Sequence, residues 1–195
     1  PLTAIGLLFL ANIFIGSVHI PAGDVLDILL GKSAERATWR HIVIESRLPQ
    51  AITALLTGAA LAVTGLILQT LFGNPLAGPS ILGIDTGASL GVAIVILSMG
   101  GTLGSTASFS LSGYLAVVLG AFAGALLILG LIIYFSTLVK SNVMLLIIGI
   151  MIGYITSSVI SLLNVFSTAE GVFSYTLWGL GDFSGVTRGQ LPLFC

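Results

Sequence analysis

Leu48–Phe72 reads LPQAITALLTGAALAVTGLILQTLF, an apolar run that carries no charged side chain. A helix needs about 20 such residues to cross the hydrocarbon core of a bilayer. Four further stretches read as spans on the same grounds: about Leu2–Val18, Ile81–Met99, Gly113–Phe135 and Val143–Phe166. Backbone polar groups inside lipid must be satisfied within the segment, so all five are expected to be helices. A membrane β-barrel would alternate apolar and polar residues in segments of about ten, and the sequence lacks that alternation. The expectation is an all-α, polytopic transmembrane helix bundle of about five spans, with the start of a sixth near Leu191.

The composition agrees. Of 195 residues, 56% are hydrophobic and 7% charged, with a mean hydropathy of +1.18. Soluble domains carry roughly 25% charged residues, so lipid is expected to cover most of this surface. The six Lys and Arg are scattered and form no basic patch for nucleic acid. Cys195 is the only cysteine and has no internal disulfide partner. Leu2 opens on an apolar run without the basic flank of a signal peptide. That run is therefore expected to be a first span whose start lies before Pro1, and the chain to be truncated at both ends.

The connections differ in kind. His19–Ser46 is long and holds Asp24, Asp27, Lys32, Glu35, Arg36, Arg40 and Glu45; its stretch Ala22–Leu30 reads as a short interfacial helix. Gly73-Asn74-Pro75-Leu76-Ala77-Gly78-Pro79 is a tight uncharged turn, because Asn-Pro and Gly-Pro punctuate chains. Gly100–Ser112 is rich in Gly, Ser and Thr, and Ser136–Asn142 is short and holds Lys140. Ser167–Gly189, with Trp178, is too polar to span and too apolar to be free in water, which fits an aromatic interfacial helix with a turn. Successive spans alternate sides, so nearly all the basic residues share the face of His19–Ser46. The positive-inside rule alone would make that face cytoplasmic.

Small residues recur four apart on three spans: Ala54, Gly58 and Ala62; Gly83, Gly87 and Gly91; Ala116, Gly120 and Gly124. This spacing lets helix backbones approach closely in lipid. On the fifth span Gly149, Gly153, Ser157, Ser161 and Asn164 form one stripe, flanked by Thr156 and Ser158. It reads either as interhelical hydrogen bonding or as the wall of a wet translocation path. Asp85 is the lone carboxylate within a span. It is either a terminal charge favoured by the helix dipole or a coupling site for an ion. Gln69 reads as helix glue. His19 and His41 lack metal-ligand spacing, and no catalytic motif is present, so an enzyme is not expected. Energy from ATP would have to come from another chain.

The ordered set Arg47-Leu48-Pro49-Gln50, Gly58-Ala59-Ala60-Leu61-Ala62, Gly65, Gln69, Asn74-Pro75-Leu76-Ala77-Gly78-Pro79, Leu82-Gly83 and Gly87-Ala88 resembles the signature of FecCD-type permeases. The resemblance continues through Leu145–Gly149 and Trp178-Gly179-Leu180-Gly181-Asp182-Phe183. These permeases are the membrane subunits of type II ABC importers for iron-siderophore, haem or cobalamin. The resemblance implies one transmembrane permease domain over residues 1–195, the N-terminal half of a roughly ten-helix subunit. In it, loop 19–46 is extracytoplasmic and segment 167–189 interfacial. It further implies a multi-pass protein of the bacterial cytoplasmic (inner) membrane that works by alternating access at a homodimer interface. Two cytoplasmic ATPase subunits would hold ATP and Mg, and a periplasmic or lipid-anchored substrate-binding protein would deliver the solute. The chain itself would need no cofactor. Residue by residue, Gly153, Ser157, Ser161 and Asn164 would line the translocation path, and Ser141, Asn142 and Val143 would form the cytoplasmic gate. Arg47 would dock the binding protein, although Gln50 replaces the second arginine of the usual pattern and Gly73 a basic residue. Asn74, Pro75, Leu76 and Ala77 make the family's motif turn. An ion-coupled secondary transporter using Asp85 is the competing expectation.

Overall fold

The computed structural model describes residues 2–32, 36–98, 111–181, 183, 185–189 and 191. Glu35, Met99, Asp182, Cys195 and the predicted connection from Gly100 up to residue 110 lie outside the described residues. The chain divides into two compact units, Pro1–Ala62 with Asp182–Cys195, and Val63–Gly181.

In the first unit, α1 (Leu2–Phe14) is followed by α2 (Ala22–Leu29) and α3 (Ala37–His41). A π-turn (Ile42–Arg47) then leads into α4 (Leu48–Phe72), whose second half belongs to the other unit. The predicted interfacial helix is α2. Its Val25 and Ile28 are buried with Ile13, Ile20, Val43 and Ala51, while Asp27 pairs with Lys32 at 2.8 Å on the exposed side. Hydropathy placed the start of α4 at Leu48, but the helix is continuous from Ala37 to Phe72. Residues 37–47 are polar enough to leave the membrane, yet their backbone bonding does not stop there. The π-turn has a local cause. Pro49 offers no N–H and its ring would crowd the carbonyl of Glu45 in a regular α-turn. Widening the preceding turn removes that conflict, and the Leu48 N–H reaches the Val43 carbonyl, five residues back.

The second unit contains the end of α4, then α5 (Ile84–Ser98), α6 (Leu111–Leu138), α7 (Asn142–Phe166) and α8 (Ala169–Gly179). α4 closes on Gly73 in the left-handed region, φ 57°. There Gly73 N–H donates to Thr70 and Asn74 N–H to Gln69, so two of the last carbonyls of the helix are satisfied. The aromatic segment predicted as interfacial is α8. It is capped by Thr168, whose hydroxyl accepts from Gly171 N–H at 3.2 Å. Val172 and Tyr175 pack it onto Ala93, Leu97 and Ile160. Burial pushes the Tyr175 phenol up, partly offset by its hydrogen bond with Ser89.

The predicted small-residue ladders on the third and fourth spans meet each other. A Cβ on Gly91 would collide with the Gly120 carbonyl, and one on Gly124 with the Gly87 carbonyl, while still lying 2.9 Å from the Gly91 nitrogen. The two backbones are therefore in contact over both glycine pairs, which no other residue type permits. The third ladder differs. Nothing stands within 4 Å of a Cβ built on Gly58, so that face of α4 has no close neighbour among the described residues.

Three of the five predicted spans are long and apolar enough to cross a membrane: Ala37–Phe72, Gly113–Leu138 and Asn142–Phe166. Among the described residues the other two are shorter apolar helices, α1 with 13 residues and α5 with 15. α5 starts late because residues 79–83 form a turn ending on Gly83. α1 stops at Phe14, where its carbonyls are taken by a side chain described below.

Gly124→Leu is expected to lower the thermal unfolding midpoint of the full-length protein in detergent clearly, by about 3 kcal/mol or more of overpacking. Gly130→Ala should leave it nearly unchanged, because no described residue stands within 4 Å of a Cβ there. Equal behaviour of the two variants would contradict backbone contact between α5 and α6.

Candidate functional site

The site is built around the turn between α4 and α5. Asn74 makes it compact: its side-chain oxygen accepts from Leu76 N–H at 2.9 Å and its carbonyl from Ala77 N–H at 3.1 Å. This is the local bonding that favours Asn at turns. Ala77 is buried with Leu82, Ile128, Ile132 and Leu146, while Leu76 points outward, 74% exposed. The turn ends on Gly83 with φ 74°. A side chain there would be strained and would stand 3.0 Å from the Gly149 carbonyl. The Thr86 hydroxyl donates to the Gly83 carbonyl at 2.7 Å and fixes the first turn of α5.

The stripe on α7 divides in two. Gly149 and Gly153 are buried against this turn. A Cβ on Gly149 would lie 2.9 Å from Leu82 Cα and 3.0 Å from the Ile81 carbonyl. One on Gly153 would meet only Thr86 Oγ1 at 3.6 Å and Gly83 Cα at 3.8 Å. Ser157 and Ser161 are exposed, and the Ser161 hydroxyl donates to the Ser157 carbonyl at 3.0 Å. Asn164 is half-buried, with its Oδ1 buried and unpartnered among the described residues. Thr156 turns the other way, buried and donating to the Ile152 carbonyl at 2.8 Å. The structure thus brings Gly153 into a packing contact and sets Ser157 and Ser161 on an open face.

Ser141 caps α7, its hydroxyl accepting from Met144 N–H at 3.4 Å, and Asn142 and Val143 follow it on the exposed first turn. Asp85 is exposed in the first turn of α5, where its carboxylate accepts from Thr86 N–H at 2.9 Å. That is the placement of a charge answering a helix N-terminus. Gln69 is exposed near the end of α4. Among the described residues no three His, Cys, Asp or Glu gather as a metal site.

Arg47 is buried, 6% exposed. Its guanidinium donates to the Ile13 carbonyl at 3.0 Å, to the Phe14 carbonyl at 3.2 Å, and to the Val18 carbonyl. The exposed cations of this unit are Lys32, Arg36, Arg40 and Arg188. Arg36 lies over the Trp39 ring at 5.0 Å, and Arg188 stands 3.9 Å from Glu45 at the edge of a cleft of about 190 Å³ lined by Ile44, Leu48, Pro49, Ile52 and Leu191. Sequence reading passed over Thr86 and Gly16. A hydroxyl three residues after a glycine that opens a helix signals the first, and nothing signals the second.

Long apolar helices and glycine-to-glycine backbone contact mark a polytopic membrane protein. The model of the FecCD transport family matches residues 4–195, and the chain belongs to that family. It is similar to the vitamin B12 import system permease protein BtuC of Pectobacterium atrosepticum, 40% identical over 144 residues, covering 74% of this chain and 41% of that protein. It is also similar to BtuC of Klebsiella pneumoniae subsp. pneumoniae, 36% identical over 185 residues, covering 94% of this chain and 50% of that one. A solved structure described as an inward-facing conformation of a metal-chelate type ABC transporter superposes with a TM-score of 0.68 at 28% identity. That match takes in 98% of this chain and 56% of the other. The chain spans about half the length of the curated relatives it matches.

The two buried glycines of α7 separate in test. Gly149→Ala is expected to cost about 1–3 kcal/mol, because its methyl meets backbone that has no rotamer to yield. Gly153→Ala should be close to neutral, since its methyl makes ordinary contacts. Thermal unfolding of both variants in detergent checks this, and a Gly153→Ala loss as large as that of Gly149→Ala would refute the placement of the turn.

Proposed function

We propose that the full-length protein is the membrane-spanning permease subunit of an ATP-driven importer for iron-siderophore, haem or cobalamin. The observation that carries this reading is the family match over residues 4–195 on a helical membrane scaffold. The names of the curated relatives put cobalamin first among the three. The permease is not itself an enzyme. Two cytoplasmic ATPase subunits holding ATP and Mg drive it, and a periplasmic or lipid-anchored binding protein delivers the solute. Two permease copies alternate their access across the bacterial inner membrane, and the solute passes along their shared interface.

In this reading α7 supplies one wall of the path. Ser157, Ser161 and Asn164 present small polar groups, and Gly153 anchors the wall to the turn behind it. The Ser161 hydroxyl proton is already given to its own helix. What it offers a passing solute is a weak acceptor rather than a deep well. A bulky amphiphilic cargo needs such a surface, because strong binding in the path would slow its exit. Ser141, Asn142 and Val143 at the start of α7 form the cytoplasmic gate. Asp85, engaged with Thr86 at a helix start, gives the ion-coupled alternative no support from its position.

Purification of the full-length protein from its native membrane in mild detergent should bring a stoichiometric ATPase subunit, identified by mass spectrometry. A protein that stays alone even after crosslinking contradicts the importer. For the path, Ser157→Cys and Ser161→Cys in an otherwise cysteine-free background should react with a membrane-impermeant thiol reagent. Protection of both positions in resting and turning-over transporter would remove α7 from the path.

A further inference from the structure

Arg47 is held by the backbone of another helix end. Its side chain follows the π-turn and reaches the end of α1, where helix carbonyls lack intrahelical partners. The hydrogen bonds recorded for its guanidinium go to backbone carbonyls: Nη1 to Ile13 and Phe14, Nη2 to Val18. A cation at a helix C-terminus is favoured by the dipole as well as by the bonds. The group lies over Gly16. A Cβ on that residue would stand 2.7 Å from Nη2 and 2.9 Å from both Cζ and Nε. The missing side chain of Gly16 is therefore the seat of the guanidinium.

We propose that Gly16 and Arg47 act as one positioning unit that fixes the start of α4 to the end of α1. The geometry separates this role from docking at a partner. An arginine that reaches out to a partner's carboxylate is indifferent to a methyl group on Gly16. An arginine seated on Gly16 is not. Its flexible stem can move aside, but the three carbonyls cannot follow, so hydrogen bonds are lost. Lys at position 47 could reach one or two carbonyls but has no planar fork to hold all three.

The test uses the full-length protein in detergent as wild type, Gly16→Ala, Arg47→Ala, Arg47→Lys and the Gly16→Ala/Arg47→Ala double variant. Thermal midpoint and hydrogen exchange of the amides of residues 15–19 are read together. Arg47→Ala should speed exchange in that segment by about tenfold or more, as local opening becomes easier. Gly16→Ala should show part of that effect, and Arg47→Lys should recover part of it. The double variant should match Arg47→Ala rather than exceed it, because both changes remove the same contact. Exchange in α5 should not change in any of them. If Arg47→Ala fails to fold, Gly16→Ala alone still decides. Wild-type exchange at 15–19 in Gly16→Ala, or effects that add in the double variant, overturns the proposal.

Discussion

Backbone meeting backbone at Gly87, Gly91, Gly120 and Gly124 is the contact on which the larger unit depends. In lipid no hydrophobic drive pushes two apolar helices together, so attraction must come from close packing and from weak polar contacts between backbones. Such forces fall off within a fraction of an ångström, and a single methyl group is enough to lose them. The crossing of α5 and α6 is therefore specified by what the four residues lack. Ile128 and Val95 complete the fit, each standing against the position where a glycine side chain would be. The same economy recurs where Gly149 lets α7 settle on the Ile81–Gly83 turn. Because α5 begins at that turn, α6 and α7 are both registered to one helix by glycine.

That registration decides which side of α7 is open. With Gly149, Gly153, Thr156 and Ile160 turned inward, the serines at 157 and 161 fall on the exposed face. Their position follows from the glycines a turn or two earlier, and so does any role in guiding a solute. The smaller unit is organised by a polar contact instead. There a buried guanidinium closes the end of α1 and meets the wide turn that Pro49 imposes on the chain ahead of α4.

Much of this was legible in the sequence, for identifiable reasons. Apolar runs at the length of a bilayer mark α4, α6 and α7 directly, and glycine at every fourth residue marks the faces that meet. Asn74-Pro75 and Gly83 mark the turn because few residues adopt the conformations it needs. What stayed hidden was of another kind. The polar residues 37–47 carry no hydropathy signal, so the helical continuation through them was invisible. The end of α1 and the start of α5 were overrun because a hydropathy window cannot see a turn that is itself apolar. The burial of Arg47 was also hidden, because it depends on Gly16 and on carbonyls roughly thirty residues away, and no local pattern encodes that. The stripe on α7 was read as one face, although its glycines and its serines have different surroundings.

Thermal unfolding of Gly91→Ala tests the central contact most directly. Its methyl would collide with the Gly120 carbonyl oxygen, whereas a methyl on Gly153 makes only ordinary contacts at 3.6 and 3.8 Å. Both variants would be made in the full-length protein and unfolded in mild detergent. Gly91→Ala is expected to lower the midpoint clearly and Gly153→Ala to leave it nearly unchanged. Equal midpoints would mean that α5 and α6 do not meet along their glycines, and the account built on that contact would fail.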